Sequence, residues 1–202
     1  MKNKTAVPVS LARGLFERPE KNVPCGKKTF MKDAFLIIGH GGSGTSLMRG
    51  LVNAHSRVDC AFEAWGDWKA EAKKTKLLWG NKQPLERFWS QQWGHAEIKN
   101  LIDDFLIIWI VRRYKKWKKN QVKAYAEANW QKGRQLYWAM RNTHPERIIE
   151  ISFEDLLLRP ESELRRVCAF LHIRYERGML LNGLNDTGHR SYNYGEILTA
   201  KV

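Results

Sequence analysis

The chain has 202 residues, of which 43% are hydrophobic and 28% charged, and this composition excludes a disordered or collagen-like protein. At this length we expect a single domain with its own core, spanning residues 1–202. The formal net charge of +14 excludes an acidic protein and predicts an anionic partner such as a nucleic acid, an acidic membrane, a polyanion or a phosphorylated cofactor.

The N-terminal segment, residues 1–33, is polar and basic and is interrupted by prolines, so we expect an arm that packs on the domain or is partly disordered. It has no apolar stretch typical of a signal peptide, and no segment of the chain is long enough to span a membrane. The three cysteines, Cys25, Cys60 and Cys168, are widely separated and lack metal-ligand spacing. An odd number of cysteines favours free thiols in a reducing compartment, and we expect a cytoplasmic protein that binds no metal.

The most informative segment is residues 35–46. An apolar run over residues 35–38 predicts a strand, and helical spacing over residues 44–55 predicts a helix with Ser43 as its N-cap. Between them lies a glycine-rich turn that carries the hydroxyl side chains of Ser43, Thr45 and Ser46. A strand, a glycine loop and a helix in this order present backbone N–H groups and a helix N-terminus to a phosphate.

The loop differs from that of a nucleotide triphosphatase at one position. Gly39 and Gly44 have P-loop spacing, but Thr45 stands where the lysine that grips the β- and γ-phosphates should follow. The loop therefore predicts a phosphate site for a donor other than ATP or GTP.

Further segments alternate between strand and helix patterns. Residues 58–62 and 147–153 predict short strands, and the apolar run 105–111 predicts a strand buried on both faces. A helix is expected to end near residue 140, and another to begin at Pro160. Residues 64–97 hold five tryptophans with no clear period, with a helix start near Pro84, and we interpret them as a variable, substrate-facing region.

This alternation predicts an α/β fold: a P-loop-like, three-layer sandwich with a central, mainly parallel sheet and helices on both faces. Ligands of such sheets bind at the carboxyl ends of the strands. The glycine loop, the segment after residue 58 and Arg112 are all expected at that edge. An arginine at a strand end suits bidentate recognition of a phosphate, although a salt bridge to a neighbouring acid is the structural alternative.

Three blocks of sequence resemble the sulfotransferases, enzymes that use 3′-phosphoadenosine 5′-phosphosulfate (PAPS). Residues 39–63 are similar to the 5′-phosphosulfate loop and first helix of that family, above all of tyrosylprotein sulfotransferases and their bacterial relatives. Residues 107–120 resemble the strand and helix that bind the 3′-phosphate, with Arg112 and Asn120 at the family's arginine and serine positions. Residues 149–171 are similar to a later strand and helix, where Phe-Glu-Asp-Leu precedes a proline.

The resemblance implies transfer of a sulfuryl group from PAPS to a hydroxyl of a small molecule, saccharide or peptide, with release of 3′-phosphoadenosine 5′-phosphate (PAP). It implies that Glu63, just past the second strand, is the general base, a role for which the residues alone favour an ordinary surface glutamate. A late loop with His189 and Arg190 is a weaker candidate for nucleotide contacts. The cofactor-binding residues that the resemblance implies are Gly41, Gly42, Ser43, Gly44, Thr45, Ser46, Arg112 and Asn120.

The chain departs from the family at Gly42, where the family has an arginine or lysine that contacts the phosphosulfate. Either another cation compensates, with His40 and Lys115–Lys119 as candidates, or the enzyme is weak or inactive. Two other functions stay open: a P-loop nucleotide kinase or hydrolase, and a non-catalytic nucleotide- or polyanion-binding protein of the same fold. A kinase would need the P-loop lysine and a Mg²⁺-binding aspartate after residue 111, and the sequence has neither. Nucleic acid is not the expected partner.

Overall fold

The computed structural model describes residues 34–118 and 123–183, which belong to one compact unit. The predicted basic arm, residues 1–33, lies outside the described residues. The strands are β1 (Phe35–Gly39), β2 (Val58–Phe62), β3 (Leu78–Pro84), β4 (Leu106–Val111) and β5 (Ile148–Ser152). The helices are α1 (Thr45–Asn53), α2 (Trp68–Lys74), α3 (Leu85–Ser90), α4 (His95–Asp104), α5 (Tyr114–Trp117), α6 (Lys123–Thr143), α7 (Phe153–Leu158), α8 (Pro160–Phe170) and α9 (Gly178–Asn182), with a short 3-10 helix, Pro145–Arg147, before β5.

The five strands form one sheet in the order β2-β3-β1-β4-β5, and every neighbouring pair is parallel. The central strand β1 is buried along its whole length because helices cover both faces of the sheet. Phe35 and Ile37 pack with α1, α7, α8 and α9 on one face. Leu36 and Ile38 pack with α2, α3, α4 and α6 on the other face. The predicted three-layer α/β fold is confirmed, and the carboxyl ends of all five strands meet at one edge.

Strand β3 was not predicted, although it lies between β1 and β2. Its residues are buried, yet they include Gly80, Asn81, Lys82 and Gln83. A central strand normally reads as an apolar run, and three consecutive polar residues hide that signal. The sequence analysis found no clear period over most of residues 64–97 and therefore missed this strand and helix α2, whereas the helix start expected near Pro84 corresponds to α3.

Two details of helix starts also differ from the sequence predictions. The N-cap of α1 is Gly44, in the left-handed conformation at φ 106°, and Ser43 does not cap the helix. Pro84 is the last residue of β3 and precedes α3 instead of lying in its first turn.

Most of the tryptophans serve the core. Trp68, Trp79 and Trp109 are buried in the cluster that joins the sheet to α2, α3, α4 and α6, while Trp65 is 38% exposed. Cys60 and Cys168 are both buried, as predicted. Within residues 34–118 and 123–183, no helix has both the length and the apolar character needed to cross a membrane.

Substitution Gly80→Ala is expected to destabilise the fold by about 1–3 kcal/mol, because overpacking a full core forces neighbouring groups to move. A Cβ at residue 80 would lie 2.2 Å from the Phe35 ring, on the strand next to β3. Urea unfolding followed by tryptophan fluorescence measures the loss. Gly178→Ala is the matched control, because its Cβ would lie 3.5 Å from the Asn182 side chain, an ordinary van der Waals contact. Equal unfolding midpoints for the two variants would contradict this packing.

Candidate functional site at the carboxyl edge of the sheet

The glycine loop leaves β1, turns sharply and enters α1. The turn is closed by a hydrogen bond in which the Ser43 N–H donates to the His40 carbonyl oxygen, with a nitrogen–oxygen distance of 2.9 Å. Gly42 and Gly44 have positive φ angles of 79° and 106°. A Cβ at residue 44 would lie 2.3 Å from the Phe153 ring, so only glycine fits both the conformation and the space there. The first turn of α1 follows directly and directs its N–H groups to the same edge.

Three polar atoms at this loop are buried and have no hydrogen-bond partner within the described part of the chain: the Ser43 hydroxyl oxygen and Arg112 Nε, which can donate to an anion, and His40 Nε2, which packs against α6. Arg112 follows β4, and its Nη1 donates to the Gly42 carbonyl oxygen at 3.1 Å. Its guanidinium also lies over the Phe153 ring, 4.6 Å from the ring centre. A buried polar group without a partner costs about 1–3 kcal/mol, and the oxygens of a phosphate or sulfate satisfy such donors. These residues therefore fit an anionic group at the loop.

Gly41 is held by side chains on both sides. Its N–H donates to Glu86 Oε2 on α3 at 2.7 Å, and its carbonyl oxygen accepts from Trp117 Nε1 on α5 at 3.0 Å. Glu86 Oε1 also lies 3.1 Å from His40 Nδ1. The Gly41 N–H, predicted to face a cofactor, is bound to Glu86 in this conformation. Trp117 is almost fully buried and anchors the segment after β4.

Glu63 lies directly after β2, at the sheet edge where β1 ends and the glycine loop begins. Its Oε1 is 2.5 Å from Lys82 Nζ, and its Oε2 is 3.3 Å from Arg87 Nε. Its φ of 53° lies in the left-handed region, which non-glycine residues adopt rarely. Consecutive residues of α3 therefore contact the two parts of the site, Glu86 at the loop and Arg87 at Glu63.

Lys82 was missed by the sequence analysis because strand β3 was missed. Its side chain is only 3% exposed, and burial lowers the pKa of its ammonium group while the hydrogen bond and charge of Glu63 oppose that shift. The side-chain amides of Asn81 and Gln83 both donate to the Ala64 carbonyl oxygen, at 2.9 and 2.8 Å, and so fix the backbone that follows Glu63. The sequence signal for this site is the set of three polar residues just before Pro84. Recognised as the end of a strand, this segment would have indicated polar side chains at the carboxyl edge of the sheet.

The predicted site residues fall into two groups. The structure brings Glu63, Arg112 and the loop residues Gly41–Ser46 to one edge of the sheet. Asn120, His189 and Arg190 lie outside the described residues. The candidates for a cation that compensates for Gly42 are placed differently. His40 is buried against Glu86, whereas Lys115, Lys116 and Lys118 of the lysine cluster are exposed.

Residues 93–177 match the sequence model of the sulfotransferase family. No curated protein sequence is significantly similar to the chain. Solved structures with the same fold include the sulfotransferase domain of the curacin biosynthetic pathway, which is 17% identical with a TM-score of 0.51 over 73% of this chain and 77% of that one. The sulfotransferase domain of the Synechococcus PCC 7002 olefin synthase is 16% identical with a TM-score of 0.54 over 73% and 76%. Mouse sulfotransferase SULT7A1, solved with PAP, is 14% identical with a TM-score of 0.50 over 86% and 65%.

The free energy of unfolding should depend on pH through Glu86. Burial raises the pKa of this carboxyl, but the hydrogen bond and charge of His40 and the Gly41 N–H lower it further, so its net pKa lies below the ordinary 4.5. The carboxylate therefore stabilises the fold above pH 4.5, and this contribution is lost as pH falls through the folded-state pKa. Chemical unfolding at pH 7 and pH 3 should show Glu86→Gln less stable than wild type at pH 7, with a smaller difference at pH 3. A difference that grows on acidification would contradict the assigned contacts.

Proposed function

We propose that this chain is a sulfotransferase that moves a sulfuryl group from PAPS to the hydroxyl group of an acceptor and releases PAP. One observation carries the proposal: a lysine-free glycine loop, with polar groups that have no partner among the described residues, lies at the same sheet edge as a partly buried carboxylate–ammonium pair, and α3 contacts both. Sulfuryl transfer requires positioning and electrostatic stabilisation more than covalent chemistry by the protein, and this edge offers both.

The glycine loop and Arg112 are proposed to hold the donor. PAPS, when bound, supplies a sulfuryl group whose leaving group is the 5′-phosphate. The Ser43 hydroxyl and the first N–H groups of α1 would donate to the 5′-phosphosulfate, as a helix N-terminus does for other phosphates. Arg112 has an Nε without a partner among the described residues and can donate to phosphate oxygens while Nη1 stays on Gly42. Asn120, His189 and Arg190 are proposed to serve the nucleotide end.

Glu63 is proposed as the general base, and Lys82 as the cation that compensates for Gly42. Glu63 would take the proton of the acceptor hydroxyl as the oxygen attacks sulfur. Lys82 Nζ, 2.5 Å from that carboxylate, orients it and places a positive charge where the transferring group is expected. Because Lys82 is almost fully buried, its charge is weakly screened by water, unlike that of the exposed lysines after β4.

The acceptor is proposed to approach over the segment beside Glu63. Phe62 and Trp65 flank Glu63 in the chain and are 39% and 38% exposed, so they offer apolar rings next to the base. Such rings suit a saccharide, a phenol or a peptide side chain. In this proposal residues 64–97 contribute to acceptor binding through Trp65.

We also propose that residues 1–202 act as one domain. The protein is proposed to work in the cytoplasm and to need no metal.

A kinase or nucleotide hydrolase has less support at this edge. The loop residue after Gly44 is Thr45, and β4 is followed by Arg112 and Arg113 where a Mg²⁺-binding aspartate would stand. Magnesium-dependent ATP turnover by the purified chain would favour that alternative.

PAP should bind the protein at least tenfold more tightly than ADP in isothermal titration calorimetry. Substitution Arg112→Ala should weaken PAP binding by about 10- to 100-fold, because it removes a charge-assisted donor at the loop. Arg165→Ala is the matched control, since it removes an arginine that is 60% exposed on α8 and should leave the affinity unchanged. Absence of binding at millimolar PAP, or equal binding of ADP, would rule out the proposed donor.

Substitution Glu63→Gln should reduce transfer of ³⁵S-sulfate from PAPS by about 10²–10⁴-fold, the usual contribution of a general base, and should leave PAP affinity nearly unchanged. Lys82→Met keeps an apolar side chain of similar length and should reduce transfer by about 10²–10³-fold. The assay uses a panel of phenols, saccharides and tyrosine peptides as acceptors.

Glu71→Gln provides the control for that assay, because it removes an exposed carboxylate on α2 and should not change the rate. Undiminished transfer by Glu63→Gln would remove Glu63 as the base. PAP binding without transfer by the wild type to any acceptor would indicate the non-catalytic alternative.

A further inference from the structure

His40 occupies a buried position inside the glycine loop and is surrounded by aromatic rings. The centre of its ring lies 4.8 Å from that of Trp117, 5.8 Å from that of Trp130 and 5.9 Å from that of Trp89. On α6, a Cβ at Gly133 would lie 2.3 Å from His40 Nε2, so the helix packs directly against the imidazole edge. The orientation of this imidazole is therefore set by packing from several elements.

The hydrogen bonds of Glu86 determine which nitrogen of His40 carries a proton. A carboxylate only accepts hydrogen bonds, so the contact between Glu86 Oε1 and His40 Nδ1 requires a proton on Nδ1. The other carboxylate oxygen, Oε2, accepts the Gly41 N–H at 2.7 Å. One carboxylate thus connects the His40 side chain to the loop backbone, and its orientation depends on the packed imidazole.

The peptide groups on both sides of Gly41 are fixed by these contacts. Glu86 holds the N–H of the peptide between His40 and Gly41, and Trp117 holds the carbonyl oxygen of the next peptide. These contacts fix the backbone direction of the rest of the loop before a ligand binds. Glycine-rich backbone has a large conformational entropy to lose, and fixing it in advance lowers the free-energy cost of binding.

We propose that Glu86, oriented by His40, is a positioning residue of the donor site, and that it preorganises the glycine loop in which Gly42 replaces a cationic side chain. The proposal rests on the proposed function, because it assumes that the loop holds the 5′-phosphosulfate of the donor. Glu86 would not touch the donor. It acts through the Gly41 N–H. Since the Ser43 N–H closes the turn onto the His40 carbonyl oxygen, the first N–H groups of α1 are the ones left for the ligand.

The opposite role is a carboxylate that competes with the ligand for the Gly41 N–H. The two roles predict opposite changes when Glu86 is removed. A positioning residue gives weaker donor binding on removal, since the loop must then be ordered by the ligand itself. A competitor gives tighter binding, since a negative charge and a bond to the loop are both removed.

The first measurement is hydrogen–deuterium exchange of the Gly41 amide by NMR, without ligand. Glu86→Ala should accelerate this exchange at least tenfold relative to wild type, and Glu86→Gln, whose amide oxygen still accepts from Gly41, should largely restore protection. Glu146→Ala, which removes a 68%-exposed carboxylate before β5, is the matched control. Unchanged exchange in Glu86→Ala would overturn the proposal.

The second measurement is PAP affinity and donor kinetics for the same variants. Glu86→Ala should weaken PAP binding and raise the donor KM by about 5- to 20-fold, with the acceptor KM unchanged, and Glu86→Gln should stay within about threefold of wild type. Equal or tighter PAP binding by Glu86→Ala, with the wild type binding normally, would overturn the positioning role alone. No PAP binding by the wild type would overturn the proposed function and this role together.

Discussion

The arrangement of the site depends on the burial of Lys82 in a central strand. An ammonium group at 3% exposure is strongly destabilising unless an opposite charge lies against it. Glu63 supplies that charge, and the neighbouring polar residues of β3 bind the Ala64 backbone, so the chain after β2 has one favourable path. The left-handed conformation of Glu63 follows from this constraint, because its backbone and its carboxylate are fixed at the same time by β3.

Helix α3 connects this ion pair to the glycine loop. Its second and third residues, Glu86 and Arg87, contact Gly41 and Glu63 respectively, although the helix has only six residues. Because β3 ends at Pro84 and α3 begins at Leu85, the position of the helix is set by the strand that carries Lys82. The glycine loop and the carboxylate are therefore placed relative to one another by a single strand–helix unit rather than by independent loops.

Particular residues explain which parts of the molecule the sequence could predict. Strands β1 and β4 are continuous apolar runs, and β2 and β5 are short segments bounded by turns, so their positions followed from composition. The glycine loop was readable because glycine spacing reports backbone shape directly. Strand β3 was not readable, since Asn81, Lys82 and Gln83 are satisfied by partners that are distant in the chain. The contact of Glu86 with the loop spans 45 residues and has no local signal at all.

The sequence by itself determined the α/β alternation, the glycine loop without a lysine and the placement of Glu63 and Arg112 at strand ends, because each depends on residue types within a few positions of one another. Only the tertiary structure decided which groups meet. It paired Glu63 with Lys82, engaged the Gly41 N–H with Glu86 and buried His40 among tryptophans. It also left Ser43 and Arg112 with atoms that have no partner among the described residues. These contacts depend on the order of the strands in the sheet, and the order of parallel strands is set by packing between distant segments, which local sequence patterns do not encode.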